Sequence, residues 1–323
     1  MCTLSRRRLP TFLVVLVLFA LTGASTAVAS RYWIQSRVDG LRHAPLQQSL
    51  GNPASGTNYL IVGSDSRQGA DPNDPDFASI GSEGNVGGQR SDTIMVLHVD
   101  GSDVRLLSLP RDLYVTIPGF KAKQRINAAY GRSPATLVDT VRTALGIPIS
   151  HYLEIDFQGF KSMVDALGGV ELCLDQGMGD PTTGFNIPEP GCHQIDGVQA
   201  LQWARSRHMR IFDANGSHED PTGDIGRIKR QQQFLRAVAD RAIEVTARDP
   251  LAVGRVIDAL QADVVVDDAL TAGGLVNLMR HLQTAGGGGI DMATYPATPR
   301  TVGGASVLVP DLAGARTLLS PFR

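Results

Sequence analysis

Apolar residues in this chain gather in short runs with little polar interruption, and stretches of helical spacing lie between them. Residues 59–62, 93–99 and 104–109 are apolar or β-branched at successive positions, as in strands buried on both faces of a sheet. Residues 152–155, 170–174 and 290–295 read as further strands. A helix is predicted over 134–145, with Ser133 as cap, Pro134 in the first turn and Gly146 as the stop. Another covers 157–167 and ends at Gly168-Gly169. Asp196 and Gln199 have capping-box spacing and start a helix that carries Ala200, Leu201, Trp203 and Ala204 inward. A long helix begins at Gly223-Asp224 and runs through about Val245, a further one covers 270–282, and Asp311 is expected to cap a terminal helix through Leu319. Strands alternating with helices predict an α/β fold, a single layered domain with a central mixed sheet flanked by helices.

Before this domain the pattern changes. Arg6, Arg7 and Arg8 precede an uncharged stretch over 9–29, and about 20 apolar residues suffice to cross a bilayer as a helix. The expected organisation is a cytoplasmic tail over 1–8, a transmembrane signal anchor over 9–29, a stalk over 30–57 and an extracytoplasmic domain over 58–323. Pro45, Gly51, Pro53 and Gly56 mark the stalk. Ala27-Val28-Ala29 also reads as a small-residue cleavage site, so secretion after signal removal is the alternative. Cys2 stays inside, and an oxidising exterior favours a disulfide between Cys173 and Cys192. A net charge of -2 with no basic stripe excludes a general nucleic-acid binder.

Arginines and aspartates recur in short strings at the ends of the apolar runs: Gly63-Ser64-Asp65-Ser66-Arg67, Arg90-Ser91-Asp92-Thr93 and Pro110-Arg111-Asp112. A fourth group joins Arg205-Ser206-Arg207 to Gly223-Asp224-Ile225-Gly226-Arg227, and helical spacing puts Asp224, Arg227 and Gln231 on one face. Guanidinium forks match phosphate oxygens two at a time, while carboxylates hold a hard cation bridging the same phosphates. If the strands before Asp65 and after Asp92 are neighbours, the two carboxylates meet and could bind Mg2+. Singly, each aspartate is explained as a turn cap and each arginine as a charge at the solvent boundary. Together they point to a phosphate-linked substrate.

The joint pattern resembles the LytR-CpsA-Psr family of exported cell-wall glycopolymer ligases. The matching strings are Asn58-Tyr59-Leu60-Ile61-Val62 leading into the Gly63 string, Arg90-Ser91-Asp92-Thr93-Ile94-Met95, Ser108-Leu109-Pro110-Arg111-Asp112 and Ile126-Asn127-Ala128-Ala129-Tyr130. Ala204-Arg205-Ser206-Arg207-His208 and the run from Gly223 through Arg227 to Gln232 complete them. The resemblance implies transfer of a glycopolymer from a polyprenyl-pyrophosphate carrier to a peptidoglycan hydroxyl at the membrane, with Mg2+ or Mn2+ on the pyrophosphate and the isoprenoid in an apolar tunnel. By motif, Asp65 and Asp92 would serve the metal. Arg67, Arg111, Arg205, Arg207, Arg227 and Gln231 would bind phosphate, and Arg111, Asp224 and Arg227 would carry the chemistry. The general base stays open. So do two alternatives: a hydrolase of the polyprenyl pyrophosphate, and a noncatalytic regulator or binding module of the envelope.

Overall fold

The computed structural model describes residues 32–64, 91–213, 216–249 and 251–323. A helix over 32–38 (α1) leads into β1 (Arg42–Ala44). The strands β2 (Thr57–Ser64), β3 (Ser91–Asp100) and β4 (Asp103–Ser108) follow, then a ribbon of β5 (Tyr114–Val115) and β6 (Gln124–Arg125). Helices α2 (Asn127–Tyr130) and α3 (Pro134–Leu145) precede β7 (His151–Ile155) and α4 (Phe157–Ala166). Next come β8 (Val170–Leu174), β9 (Gly177–Asp180), β10 (Phe185–Ile187), β11 (Gly191–Ile195), α5 (Gly197–Arg205), β12 (Arg210–Asp213) and β13 (Gly216–Glu219). The chain continues through α6 (Gly223–Arg248), α7 (Ala252–Leu260), β14 (Val264–Asp267) and α8 (Ala272–Ala285). It closes with β15 (Ile290–Thr294), the hairpin β16 (Ala297–Val302) and β17 (Ala305–Pro310), and α9 (Ala315–Leu318).

The main sheet has the order β1-β14-β7-β2-β3-β4-β15. It is mixed, with parallel pairs at β1/β14, β7/β2 and β4/β15 and antiparallel pairs elsewhere. Its central strands lack polar alternation because both faces are covered. Leu60, Val62, Ile94, Val96 and Tyr152 face a core completed by Leu137, Val138 and Val141 of α3. Tyr59, Met95 and Leu97 face a second core with Val38 of α1 and Ile257 of α7. Each such side chain contributes about 1.5–3 kcal/mol on burial. A third cluster, around Trp203, Phe185 and Phe234, joins α5 and α6 to the smaller sheets β10-β9-β12-β13 and β11-β8.

Local signals placed several elements well. The Ser133 hydroxyl accepts from the Thr136 amide at 3.1 Å, and Gly146 stops α3 at φ 68°. Both halves of the Asp196/Gln199 capping box are present. Cys173 and Cys192 face each other across β8 and β11 and form the expected disulfide.

Two expectations are corrected. Residues 32–57 are no stalk: β1 is an edge strand of the main sheet, and Val38, Leu41, Ala44 and Leu46 are buried. Their apolar side chains are too sparse to show periodicity, yet these four find the core. The terminal helix reduces to α9, because Asp311 forms a turn instead, accepting from the amides of Ala313 and Gly314. The expected anchor over 9–29 lies outside the described residues, among which no helix is long and apolar enough to cross a membrane.

One buried polar knot ties this fold shut. Asn58 donates to the carbonyls of Pro148 and Phe322 at 2.8 and 2.7 Å, so its own Oδ1, 2.8 Å from His98 Nδ1, accepts from a neutral His98 ring. Burial pushes His98 below its usual pKa, against the opposing pull of Asp100 and Asp103. Its contribution is therefore complete above the unfolded value of about 6.5 and is lost as pH falls through the lower folded value. Urea unfolding at about pH 7.5 and about pH 5 should show a larger acid loss for the native protein than for His98→Gln; equal losses would exclude this knot as the source.

Candidate active site

The antiparallel register of β2 and β3 sets Ser64 opposite Ser91 and Gly63 opposite Thr93. The strands before Asp65 and after Asp92 are thus neighbours, as the sequence argument required. Asp65 and Arg67 lie outside the described residues. Asp92 stands in β3 directly before Thr93, and Asp224 stands in the first turn of α6; of their side chains nothing is described.

Two adjoining clefts open at this end of the sheet, and Thr93, Arg227 and Gln231 line both. Arg111, just past β4, lines one; Arg205, at the end of α5, lines the other. Four of the expected residues, Arg111, Arg205, Arg227 and Gln231, therefore converge from three separate segments. Arg207 does not join them: it is exposed and lines neither cleft. The Arg205 guanidinium lies 4.3 Å from the centre of the Phe157 ring, a cation–π contact that steadies its fork. Ile155, Phe157, Phe160 and Leu201 give the same cleft an apolar wall.

Arg227 is only 4% exposed. It sits in the first turns of α6, where the helix N-terminus favours an anion. Gly226 precedes it, and a Cβ there would overlap the Thr222 hydroxyl, so glycine lets the incoming loop fold onto the helix. That loop is held by charge. Asp220 accepts from Arg230 at 3.0 Å, and Arg230 also donates to the Ser206 carbonyl at 2.9 Å. The Ser206 hydroxyl donates in turn to Asp180. This chain of contacts joins the start of α6 to the 205–207 segment and so sets the distance between Arg227 and Arg205. Burial alone would raise the Asp220 carboxyl, but the Thr222 hydroxyl and amide and the Arg230 guanidinium hold it below the usual carboxylate range. Gln231 donates to the Ala204 carbonyl and Gln232 to Ser108, fastening α6 to α5 and to β4.

Arg111 is anchored from the other side. Its Nε lies 3.7 Å from Asp112, whose second oxygen is 3.3 Å from Arg125, and Arg125 donates to the Ser306 carbonyl in β17.

Sequence reasoning missed Asp156, which lines the cleft with Arg205 and Arg227. It caps α4 by accepting from the Gly159 amide at 2.8 Å. Burial pushes its carboxyl up to about 6, Asp263 adds to the rise and the Gly159 amide opposes it. A cleft carboxyl poised there is suited to carrying a proton. Its only sequence signal was that of a helix cap. Asp180 and Asp220 had no local signal at all.

Two variants test this arrangement. Asp220→Ala strands the buried Arg230 guanidinium and should cost about 3–5 kcal/mol in chemical denaturation. Asp156→Asn keeps a capping oxygen but removes a carboxyl whose raised pKa favours folding only at low pH, an advantage lost as pH rises through about 6. The variant should therefore gain roughly 2–3 kcal/mol over the native protein at about pH 8 and nothing below about pH 4.

A sequence model of the LytR_cpsA_psr family matches residues 17–319, beyond both ends of the stretch bearing the motifs. The probable cell wall biosynthesis protein LcpB of Corynebacterium glutamicum is 36% identical over 299 residues, which cover 90% of this chain and 66% of LcpB. The polyisoprenyl-teichoic acid–peptidoglycan teichoic acid transferase TagU of Enterococcus faecalis is 36% identical over 170 residues, 52% of each chain. This chain spans about half to two thirds of the length of these relatives. A LytR-Csp2A-Psr enzyme from Actinomyces oris, 24% identical, superimposes with a TM-score of 0.68 over 87% of this chain and 96% of that one, and so shares the fold. With its motifs, its mixed sheet and this match along most of its length, the chain belongs to the LytR_cpsA_psr family.

Proposed function

We propose that this protein transfers a glycopolymer from a polyprenyl-pyrophosphate carrier to a hydroxyl of peptidoglycan, as a single-pass membrane protein whose domain lies outside the cytoplasm. The observation that carries the reading is the convergence of Arg111, Arg205, Arg227 and Gln231 on clefts with an apolar wall of Phe157, Phe160 and Leu201. Guanidinium groups beside aromatic and aliphatic carbon suit a diphosphate joined to an isoprenoid. The name of its relative TagU, a polyisoprenyl-teichoic acid–peptidoglycan teichoic acid transferase, supports the same substrate classes.

The donor set suits a hard cation. The Ser64 and Ser91 hydroxyls are fully buried at the paired strand ends and find no hydrogen-bond partner among the described residues. They flank Asp65 and Asp92 in sequence, so four hard oxygen groups are gathered in two short strings. Asp65 and Asp92 would hold Mg2+ or Mn2+, which would neutralise charge on the pyrophosphate.

In this reading Arg227 and Arg111 grip the phosphate whose charge grows during transfer, and Arg205 and Gln231 orient the neighbouring phosphate. The acceptor hydroxyl forms a new P–O bond to the sugar-linked phosphorus while the bond to polyprenyl phosphate breaks, and its proton passes to a cleft carboxylate. By motif, Asp224 would orient the arginines or take part in proton transfer. Positioning and charge stabilisation then supply most of the rate, with no covalent enzyme intermediate.

Turnover of a polyprenyl-pyrophosphate glycan by the full-length protein in detergent, with and without peptidoglycan, tests the proposal. Product should be a polymer–peptidoglycan phosphodiester formed only with acceptor. Arg111→Ala should lower turnover by at least about 100-fold while melting stays unchanged. Free polymer released regardless of acceptor would make the protein a hydrolase, and a folded protein without turnover would make it a binding module.

A further inference from the structure

The pairing of α1 with α7 defines an end of the molecule that the catalytic reading leaves unused. A Cβ on Gly254 of α7 would overlap the Trp33 indole, so this glycine lets the ring lie flat on the helix backbone. Four residues on, Arg37 donates to Asp258, itself four residues past Gly254, at 3.0 Å. Equal steps in the same direction make the two helices parallel. Their N-termini therefore lie at the same end, and there the chain exposes two large apolar side chains: Tyr32, 78% exposed, and Leu251, 61% exposed and one turn before Gly254. Arg248 and Arg255 border them with half- to mostly exposed side chains, each paired to an acidic neighbour, Glu244 and Asp249.

Tyr32 also lies three residues past the uncharged stretch over 9–29. Aromatic residues that follow an apolar span sit at the membrane–water boundary, with arginines at headgroup level. We propose that the shared N-terminal end of α1 and α7, with Tyr32 and Leu251 as its apolar contacts, seats the domain on the outer surface of the lipid bilayer. The proposal rests on the reading of 9–29 as a retained anchor. α4 packs on α7, so the helix that carries Phe157 and Phe160 of the cleft rests directly on one of the two helices that meet the lipid.

Full-length protein in phosphatidylglycerol–phosphatidylethanolamine vesicles with brominated acyl chains reads this directly. In a Cys2→Ser background, a bimane probe goes on Leu251→Cys or on Leu312→Cys, an exposed position across the sheet beside α3. Trp33 fluorescence reports the anchor itself, because the other tryptophan, Trp203, is buried. The expected result is quenching and a blue shift at position 251, quenching of Trp33, and no change at position 312. Quenching of Trp33 without quenching at 251, or equal quenching at 251 and 312, would overturn the seat and leave the anchor standing. Absence of quenching at Trp33 and at 251 would overturn both.

Discussion

The site depends on keeping guanidinium groups out of water at the start of one helix. A desolvated charge is costly unless carboxylates and carbonyls surround it. Arg230 meets that condition through Asp220 and the Ser206 carbonyl, and the Ser206 hydroxyl reaches on to Asp180. Satisfying one buried cation thereby locks together α6, the loop before it and the end of α5. Arg227 and Arg205 are carried by the two ends of that lock, which is why a cluster of like charges can persist in a cleft. A looser ion pair joins Arg111 to Asp112, which Arg125 also approaches, and gives the C-terminal hairpin a structural part in a site far from it in sequence.

The sheet supplies the opposite wall. Because β2 and β3 are covered on both faces, their register cannot slip by one residue without turning an apolar side chain away from its core. The described pairing reaches Ser64 and Ser91, with a register shift between Gly63 and Ser64. The Ser64 and Ser91 hydroxyls, buried here without partners among the described residues, are unusual, since such groups ordinarily cost about 1–3 kcal/mol each. Asp156 adds a carboxyl raised by burial in the same cleft. Unmet polar cost gathered with a raised carboxyl at one edge of the sheet fits a place shaped for a ligand.

The proposed reaction between a lipid-borne donor and a wall polymer would impose geometry on the whole domain. Part of the apolar wall, Phe157 and Phe160, belongs to α4; α4 packs on α7, and α7 packs on α1. In that proposal ordinary helix packing would link substrate chemistry to membrane placement.

By itself the sequence determined whatever local chemistry controls. The two-faced strands, the Ser133 and Asp196 caps, the Gly146 stop and the cross-strand disulfide all follow from residues within a few positions of one another or from a compartment's redox state. The motif strings likewise named Arg111, Arg205, Arg227 and Gln231 before any were placed together. Tertiary structure alone decided the remainder. Residues 32–57 hold too few apolar side chains for a period, so only the core they complete shows that they belong to it. Arg207, two positions from Arg205, faces solvent, because the segment leaves α5 and turns at Ser206. Asp156, Asp180 and Asp220 gained their significance from burial and from partners distant along the chain. Desolvation is a property of the assembled fold, and no short stretch of sequence carries it.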